Sequence, residues 1–224
     1  MKLLFCTKVL AFCLALLAGW AAQAQATPRT VKLSDERMAQ TPQGRERLKY
    51  LANCALAEDL VLTAESAGER YTFPGGLGLA PQWDQRAMTE QEQLWVSACM
   101  LARTNFYGIK VLLSMRSDFP SNAPGLQIMT EEDKAYPLEE ATYFGNLFAD
   151  KPVGYVCSPE QTAQRRANFA AQRRICALPG ADGKTACGMV HVGVCSTTNY
   201  NQGGYQYRAA ISVFLPERAA SEKP

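Results

Sequence analysis

The chain has a single histidine, His191, which restricts the covalent chemistry that the sequence can support. A Ser-His-Asp triad or a Cys-His pair needs a histidine as its general base, so either would have to use His191. No GxSxG nucleophile motif occurs in the chain, and His191 lies in the run GMVHVGV, residues 188–194. We therefore interpret His191 as a strand histidine satisfied by solvent or by a carbonyl group, with a thiol enzyme as the alternative.

Eight cysteines occur in the chain, and two of them, Cys6 and Cys13, lie in a predicted leader. The other six are an even number without any CxxC pair, which favours three disulfides over a zinc ribbon or a redox motif. The first bridge would staple two predicted helices together, and each of the other two would close a local unit. The predicted bridges are Cys54–Cys99, Cys157–Cys176 and Cys187–Cys195.

Motifs for metals and nucleotides are missing from the sequence. No HExxH and no EF-hand loop occurs, and oxidised cysteines would supply no thiolate to a site with His191. The PGGLGL run that begins at Pro74 does not match GxGxxG, which argues against a nucleotide-binding loop. We predict no metal and no cofactor.

Paired carboxylates are the other source of chemistry. Glu139 and Glu140 precede Tyr143, Phe144 and Asn146, and an aromatic and amide neighbourhood of this kind suits a sugar. A glycosidase needs two carboxyl groups across a cleft, one of them in an apolar setting that raises its pKa. No hydrolase motif accompanies these residues, so an envelope hydrolase that acts on glycan or peptide through Glu139 or Glu140 is the rival hypothesis.

Two further stretches have residue types that favour binding. The run AQRRANFAAQRR, residues 163–174, places four arginines within about half the circumference of a helix, where they bind anionic groups or form a solvated face. The loop STTNYNQGGYQ, residues 196–206, combines amides with aromatic rings, which recognise sugars and peptide backbones. The candidate binding residues are Arg165, Arg166, Arg173, Arg174, Asn199, Tyr200, Asn201 and Gln202.

Residues 1–26 have the features of a secretory signal peptide. Lys2 and Lys8 give a positively charged start, an uncharged apolar stretch runs from Val9 to Ala18, and small residues precede Ala26. The apolar stretch is shorter than the about 20 residues of a membrane-spanning helix. We therefore predict a periplasmic or secreted protein without a transmembrane segment.

Charge and length narrow the class of protein further. Loss of the two leader lysines brings Lys plus Arg from 23 to 21, equal to the 21 Asp plus Glu, which argues against nucleic acid as a partner. The remaining length fits one domain with one sizeable core. We predict a loosely held lead-in over residues 27–41, a single domain over 42–216 and a frayed tail over 217–224.

The elements that must position these residues alternate irregularly between helix and strand. Helices are predicted from Pro42 to about Leu62 with Thr41 as its cap, from Glu90 to near Gly108 with Thr89 as its cap, over 137–148, and from Pro159 to about Arg174. Strands are predicted over 69–73, 109–116, 153–157, around His191 and over 205–215. We predict an α+β fold, with an antiparallel sheet, about three helices and disulfide staples.

The runs LWVSACMLARTNFYGIKVLLSMRS, residues 94–117, and YFGNLF, residues 143–148, are similar to stretches in uncharacterised secreted, cysteine-containing bacterial proteins. The resemblance covers the middle third of the chain. It implies an exported bacterial origin and a helix–strand core around Cys99. It transfers no catalytic residue and no function.

Together these patterns predict an exported, disulfide-stabilised binding or structural protein of the bacterial cell envelope rather than an enzyme. An envelope glycan or protein is the expected partner, contacted by the 196–206 loop and the arginine face. The hydrolase and the thiol enzyme remain the alternatives.

Overall fold

A computed structural model of the chain describes residues 29–33, 36–117, 126, 130–160 and 174–217. The predicted leader, residues 161–173 of the predicted fourth helix and residues 218–224 of the predicted tail lie outside these ranges. Within them helices and strands are mixed, and the sheets are mostly antiparallel, so the coarse prediction of an α+β fold is confirmed. The same ranges contain no helix long and apolar enough to cross a bilayer.

The first sheet has three strands and lies beside one long helix. Strands β1 (Arg29–Lys32), β2 (Leu60–Ser66) and β3 (Glu69–Pro74) lie in the order β1-β2-β3, with β1 parallel and β3 antiparallel to β2. A 3₁₀ helix (Glu36–Gln40) leads into helix α1 (Pro42–Ala55), which the side chain of Thr41 caps as predicted. Residues 29–32 are thus paired in a sheet, where the sequence predicts a loosely held lead-in.

Helix α1 ends before its predicted end near Leu62 because a later loop occupies its C-terminal carbonyl groups. The N–H groups of residues 76–80 donate to the carbonyl oxygens of residues 53–56, which a helix end leaves unpaired. The chain then forms β2, in which alternate residues from Leu60 to Ala64 are buried. The predicted glycine-rich loop is therefore the cap of α1.

The second sheet has five strands. They are β4 (Ser114–Arg116), β5 (Leu138–Asn146), β6 (Val153–Ser158), β7 (Val190–Val194) and β10 (Ile211–Leu215), in the order β4-β10-β5-β6-β7. Neighbours are antiparallel except β6 and β7, which are parallel, so this sheet is mixed rather than purely antiparallel. Helix α2 (Glu90–Arg103) begins with the predicted Thr89 capping box and packs on β5 and β10.

Short elements connect these strands. Helix α3 (Thr130–Ala135) precedes β5, and helix α4 (Cys195–Thr198) follows β7 directly. Strands β8 (Asn201–Gln202) and β9 (Tyr205–Gln206) form a two-stranded hairpin before β10. The predicted strand over 205–215 is thus divided into β9 and β10.

The central strand β5 stands where the sequence predicts a helix over 137–148. Every residue from 140 to 145 is buried, so the run has none of the apolar–polar alternation that identifies a strand with one solvated face. Continuous burial is typical of the middle of a sheet that is covered on both sides. The predicted helix is wrong for that reason.

The predicted strand over 109–116 is confined to β4. Its neighbour β10 ends at Leu215, and the next residue, Pro216, has no N–H group with which to extend the ladder. The buried residues of β4 are Ser114 and Arg116, not the odd-numbered apolar ones, which pack only partly against the core.

Three disulfides join the six cysteines of the described ranges. Cys54 and Cys99 bridge α1 to α2 inside the core, as predicted. Cys157 pairs with Cys195, and the two remaining cysteines pair with each other across a sequence separation of 11.

The predictions Cys157–Cys176 and Cys187–Cys195 are therefore wrong. Strands β6 and β7 lie side by side and parallel, so the end of β6, where Cys157 lies, is next to Cys195, the residue that follows β7. This leaves Cys176 and Cys187 to close the smaller loop nested inside.

Candidate ligand-binding groove

An open groove of ≈ 720 Å³ lies against β5 and β10. Its floor comes from these two strands, and one wall is the chain from Val194 through α4 to Tyr200. The end of β6 and strand β9 supply the remaining sides. The described lining residues are Glu139, Thr142, Pro159, Glu160, Val194, Cys195, Ser196, Asn199, Tyr200, Gln206 and Ser212.

The structure divides the predicted amide and aromatic residues between the groove and its surroundings. Asn199 and Tyr200 line the groove, whereas Asn201 and Gln202 lie in β8 and do not. Ser196 and Gln206, the two ends of the predicted 196–206 loop, are lining residues that the sequence analysis did not select. The sequence could have indicated both residues, because they belong to the same polar run as Asn199 and Tyr200.

Two consecutive residues of the groove wall have left-handed backbones. Asn199 has φ 46° as the C-terminal cap of α4, and Tyr200 has φ 53°. Asparagine adopts this conformation readily, whereas it costs a residue such as tyrosine about 1–2 kcal/mol. Gln206 holds this turn by donating from Nε2 to the Asn199 carbonyl at 2.6 Å, and the N–H of Tyr207 donates to the Tyr200 carbonyl at 2.9 Å. The fold therefore maintains local strain where the wall meets the groove.

An aromatic cluster supports that wall from behind. The ring of Tyr200 meets the ring of Phe144 edge-on, with centroids 5.4 Å apart, and Phe144 also contacts Tyr155 and Tyr207. Burial raises the pKa of Tyr207 to about 12, and the neighbouring Tyr155 adds to the rise. The cluster fixes the plane of the Tyr200 ring beside the groove.

The groove floor is polar. The hydroxyls of Thr142 and Ser212, from neighbouring strands, are 2.7 Å apart, and either can be the donor. Among the described lining residues the two charged side chains, Glu139 and Glu160, are both acidic. Hydroxyl, amide and carboxylate groups together offer donors and acceptors for a polyhydroxylated ligand. Thr142 was missed because a helix was predicted over 137–148, and Ser212 was missed because it lies in the otherwise apolar strand sequence ISVFL.

A β-bulge separates the two candidate carboxylates of the hydrolase hypothesis. Phe214 of β10 is opposite Glu139 and Val213 is opposite Ala141, so Glu140 is the extra residue. In a regular strand Glu140 and Tyr143, three positions apart, would face opposite sides. The bulge places both on the same side of β5. The same shift places Glu139 on the groove side, with Thr142.

Glu140 is fully buried and forms an ion pair with Arg174, which is 1% exposed. Nε of Arg174 donates to both carboxylate oxygens at 3.0 and 3.2 Å, and Nη2 donates to Oε2 at 2.9 Å. Burial raises the pKa of Glu140, and the charge of Arg174 opposes that rise. Nη2 also donates to the hydroxyl of Tyr143 at 3.2 Å.

The same guanidinium closes the C-terminal end of α2. Nη1 of Arg174 donates to the carbonyl of Thr104 and Nη2 donates to that of Ala102, both at 2.9 Å. The prediction that Arg174 lies on an exposed binding face is therefore wrong. Glu140 is buried and cannot contact a substrate, so it is excluded as a catalytic carboxylate of the hydrolase hypothesis. The other three predicted arginines, Arg165, Arg166 and Arg173, lie outside the described residues.

His191 faces Ser158, not a cysteine. Its Nε2 is 3.1 Å from Oγ of Ser158, and its Nδ1 accepts from the N–H of Gly193 at 3.2 Å. An acceptor Nδ1 places the proton of a neutral imidazole on Nε2, so His191 donates to the serine. A general base requires the reverse, with the serine hydroxyl donating to the histidine. The cysteines that flank β7 are both in disulfides, which removes the thiol from the thiol-enzyme hypothesis.

No protein-family model matches the chain, and neither the curated proteins nor the solved structures contain a match to it. In the part of the chain that the structure describes, no three side chains of His, Cys, Asp or Glu converge as metal ligands. A functional proposal for this chain therefore has to rest on the geometry of the groove.

Proposed function

We propose that this chain is an exported, disulfide-stabilised binding protein of the bacterial cell envelope and that its ligand is a glycan held in the groove. The observation that carries the proposal is the convergence of Asn199 and Tyr200 on a groove whose floor and rim also present hydroxyl and carboxylate oxygens. Sugar hydroxyls match such a mixture of donors and acceptors, and a tyrosine ring adds stacking area.

Export is supported by two features. The first 26 residues have the charge and apolar pattern of a signal peptide. Six cysteines are joined in three disulfides, and such bonds persist in oxidising compartments.

The test is calorimetric titration of the purified chain with cell-wall glycan strands freed of peptide. We expect saturable binding that Tyr200→Ala weakens about tenfold or more, because the ring supplies contact area worth about 1–3 kcal/mol. Asn201→Ala, one residue outside the groove, is the matched control and should bind like the unaltered chain. Binding that Tyr200→Ala leaves unchanged, or no binding at all, would contradict the proposal.

Glu139 preserves a reduced form of the hydrolase hypothesis, because it is the one carboxylate of the original pair that reaches the groove. The same glycan strands can be analysed for new reducing ends after long incubation. Turnover that Glu139→Gln abolishes would replace a binding protein with an enzyme. Under our proposal the strands stay intact.

A further inference from the structure

The segment from Ile109 to Leu113 is a mostly apolar piece of chain outside the helices and strands, and it continues directly into the edge strand β4. No hydrogen bond joins the backbone of residues 110–113 to any other part of the chain that the structure describes. The carbonyl of Ile109 accepts only from Nδ2 of Asn105, at 3.2 Å. The segment thus has a strand-like sequence, IKVLL, without a strand partner.

Its side chains are unusually exposed for their type. Leu112 is 73% exposed, and Phe106 and Tyr107 in the preceding turn are 56% and 50% exposed. The odd-numbered residues Val111 and Leu113 still pack partly against the core, as they would in a sheet. The side chains of Val111 and Leu113 therefore have contacts, and the backbone N–H and C=O groups of residues 110–113 do not have a strand partner within the described part of the chain.

We infer that this segment is the interface of a symmetric dimer, in which residues 109–113 of two copies of this chain pair as antiparallel strands. β4 is at the end of the strand order, so the pairing would join the five-stranded sheets of the two copies edge to edge. An open edge of this kind is a template for strand addition, and a two-fold axis is the commonest symmetry of homo-oligomers.

The sequence of the segment is self-complementary when the two-fold axis passes through Val111. Ile109 then lies opposite the second copy's Leu113, and Lys110 lies opposite its Leu112. No two lysines face each other, which a shift of the axis to Lys110 would produce and which like-charge repulsion disfavours. Val111 packs beside its own counterpart.

A lipid surface fits the same apolar side chains less well. Insertion would carry the unpaired N–H and C=O groups of residues 110–113 towards hydrocarbon, where each unsatisfied group costs several kcal/mol. Strand pairing satisfies the N–H and C=O groups on the edge that faces the second copy, and it places Lys110 of that copy beside Leu112. The unpaired backbone groups therefore favour a second copy of the chain over a lipid surface.

The first experiment is sedimentation equilibrium of the purified chain and of two glutamate variants at adjacent positions. Val111→Glu places two carboxylates opposite each other and should raise the dimer dissociation constant about tenfold or more. Leu112→Glu places each new carboxylate opposite Lys110 of the other copy and should leave the dissociation constant unchanged or lower it. A non-specific apolar contact predicts the opposite order, since Leu112 is the more exposed side chain.

Cysteine cross-linking tests the register without relying on the stability of the glutamate variants. Val111→Cys on the two-fold axis brings two Cα atoms within the about 4.5–5.5 Å of directly opposed antiparallel residues, where a disulfide forms readily. Leu112→Cys residues are offset by two positions and beyond disulfide reach. Faster covalent dimerisation of Val111→Cys supports the inference. Equal rates, a reversed order or a chain that is monomeric at every concentration overturns it.

Discussion

Arg174 meets Glu140 inside the molecule, bonding both oxygens of the carboxylate while also closing the end of helix α2. One guanidinium thereby connects the central strand of the five-stranded sheet to the helix packed on it. Arginine suits this position because its planar fork of N–H groups can serve a carboxylate and two carbonyl groups at once. A lysine would offer one nitrogen to the same set of acceptors.

Glu140→Gln is expected to lower the free energy of unfolding by about 3–5 kcal/mol, because it leaves the charge of Arg174 buried without its counter-ion. Urea unfolding followed by circular dichroism measures this change. The control is Lys49→Ala, which removes an exposed pair with Glu46 and should cost at most about 0.5 kcal/mol. A Glu140→Gln variant as stable as the unaltered chain would show that the buried pair does not hold β5 to α2.

Peptide mapping without reduction should recover Cys157 linked to Cys195 and Cys176 linked to Cys187. The physical reason is the parallel pairing of β6 and β7, which aligns the cysteines at their ends. Intact mass before and after alkylation should reveal no free thiol among the six cysteines that the three disulfides join. Recovery of Cys157 linked to Cys176 would restore the pairing predicted from the sequence.

Alkaline titration should detect Tyr207. Its pKa is raised to about 12 by burial, above the value of about 10 that it has in the unfolded chain. A raised pKa contributes stability that is fully present below about pH 10 and is lost as the pH rises towards 12. Tyr207→Phe should therefore flatten the fall in melting temperature between these limits. An alkaline fall in melting temperature that Tyr207→Phe leaves unchanged would contradict this prediction.

Gly75→Ala should disrupt the cap of helix α1. A Cβ at this position would lie 2.0 Å from the carbonyl oxygen of Ala57, a backbone atom that cannot move without opening the loop. We expect a loss of about 1–3 kcal/mol in thermal or urea unfolding. Gly108→Ala meets no atom within 4 Å and should cost only the roughly 1 kcal/mol of its positive φ. Equal losses would argue that the close approach at Gly75 is unimportant.

Features that depend on a few neighbouring residues were predictable from the sequence. Thr41 and Thr89 cap the helices that they were predicted to cap, because a helix start is determined within one turn of chain. The Cys54–Cys99 bridge spans 45 residues, but each cysteine lies in a helix that the local sequence predicts, so the bridge follows from pairing the two helices. Asn199 and Tyr200 were selected from residue type, and the groove contains both.

Features that depend on distant partners were not predictable in this way. The AQRR repeat looks like a solvated face until the partner of Arg174, Glu140, is known, and 34 residues separate the two. The bulge at Glu140 has no signature in the sequence, and it alone determines which side of β5 each carboxylate faces. The short length of β4 depends on Pro216, which follows the neighbouring strand β10 and is distant in the sequence.

Two of the disulfides also determine how the chain responds to force. Pulled from its two ends, the protein cannot extend the loops closed by Cys54–Cys99 and Cys157–Cys195, which span sequence separations of 45 and 38. Extension between these loops is confined to residues 100–156, and β4 and β5 both lie there. Tension would therefore peel the floor from the groove while both covalent loops stayed closed. A ligand bridging β5 and α4 would resist that motion.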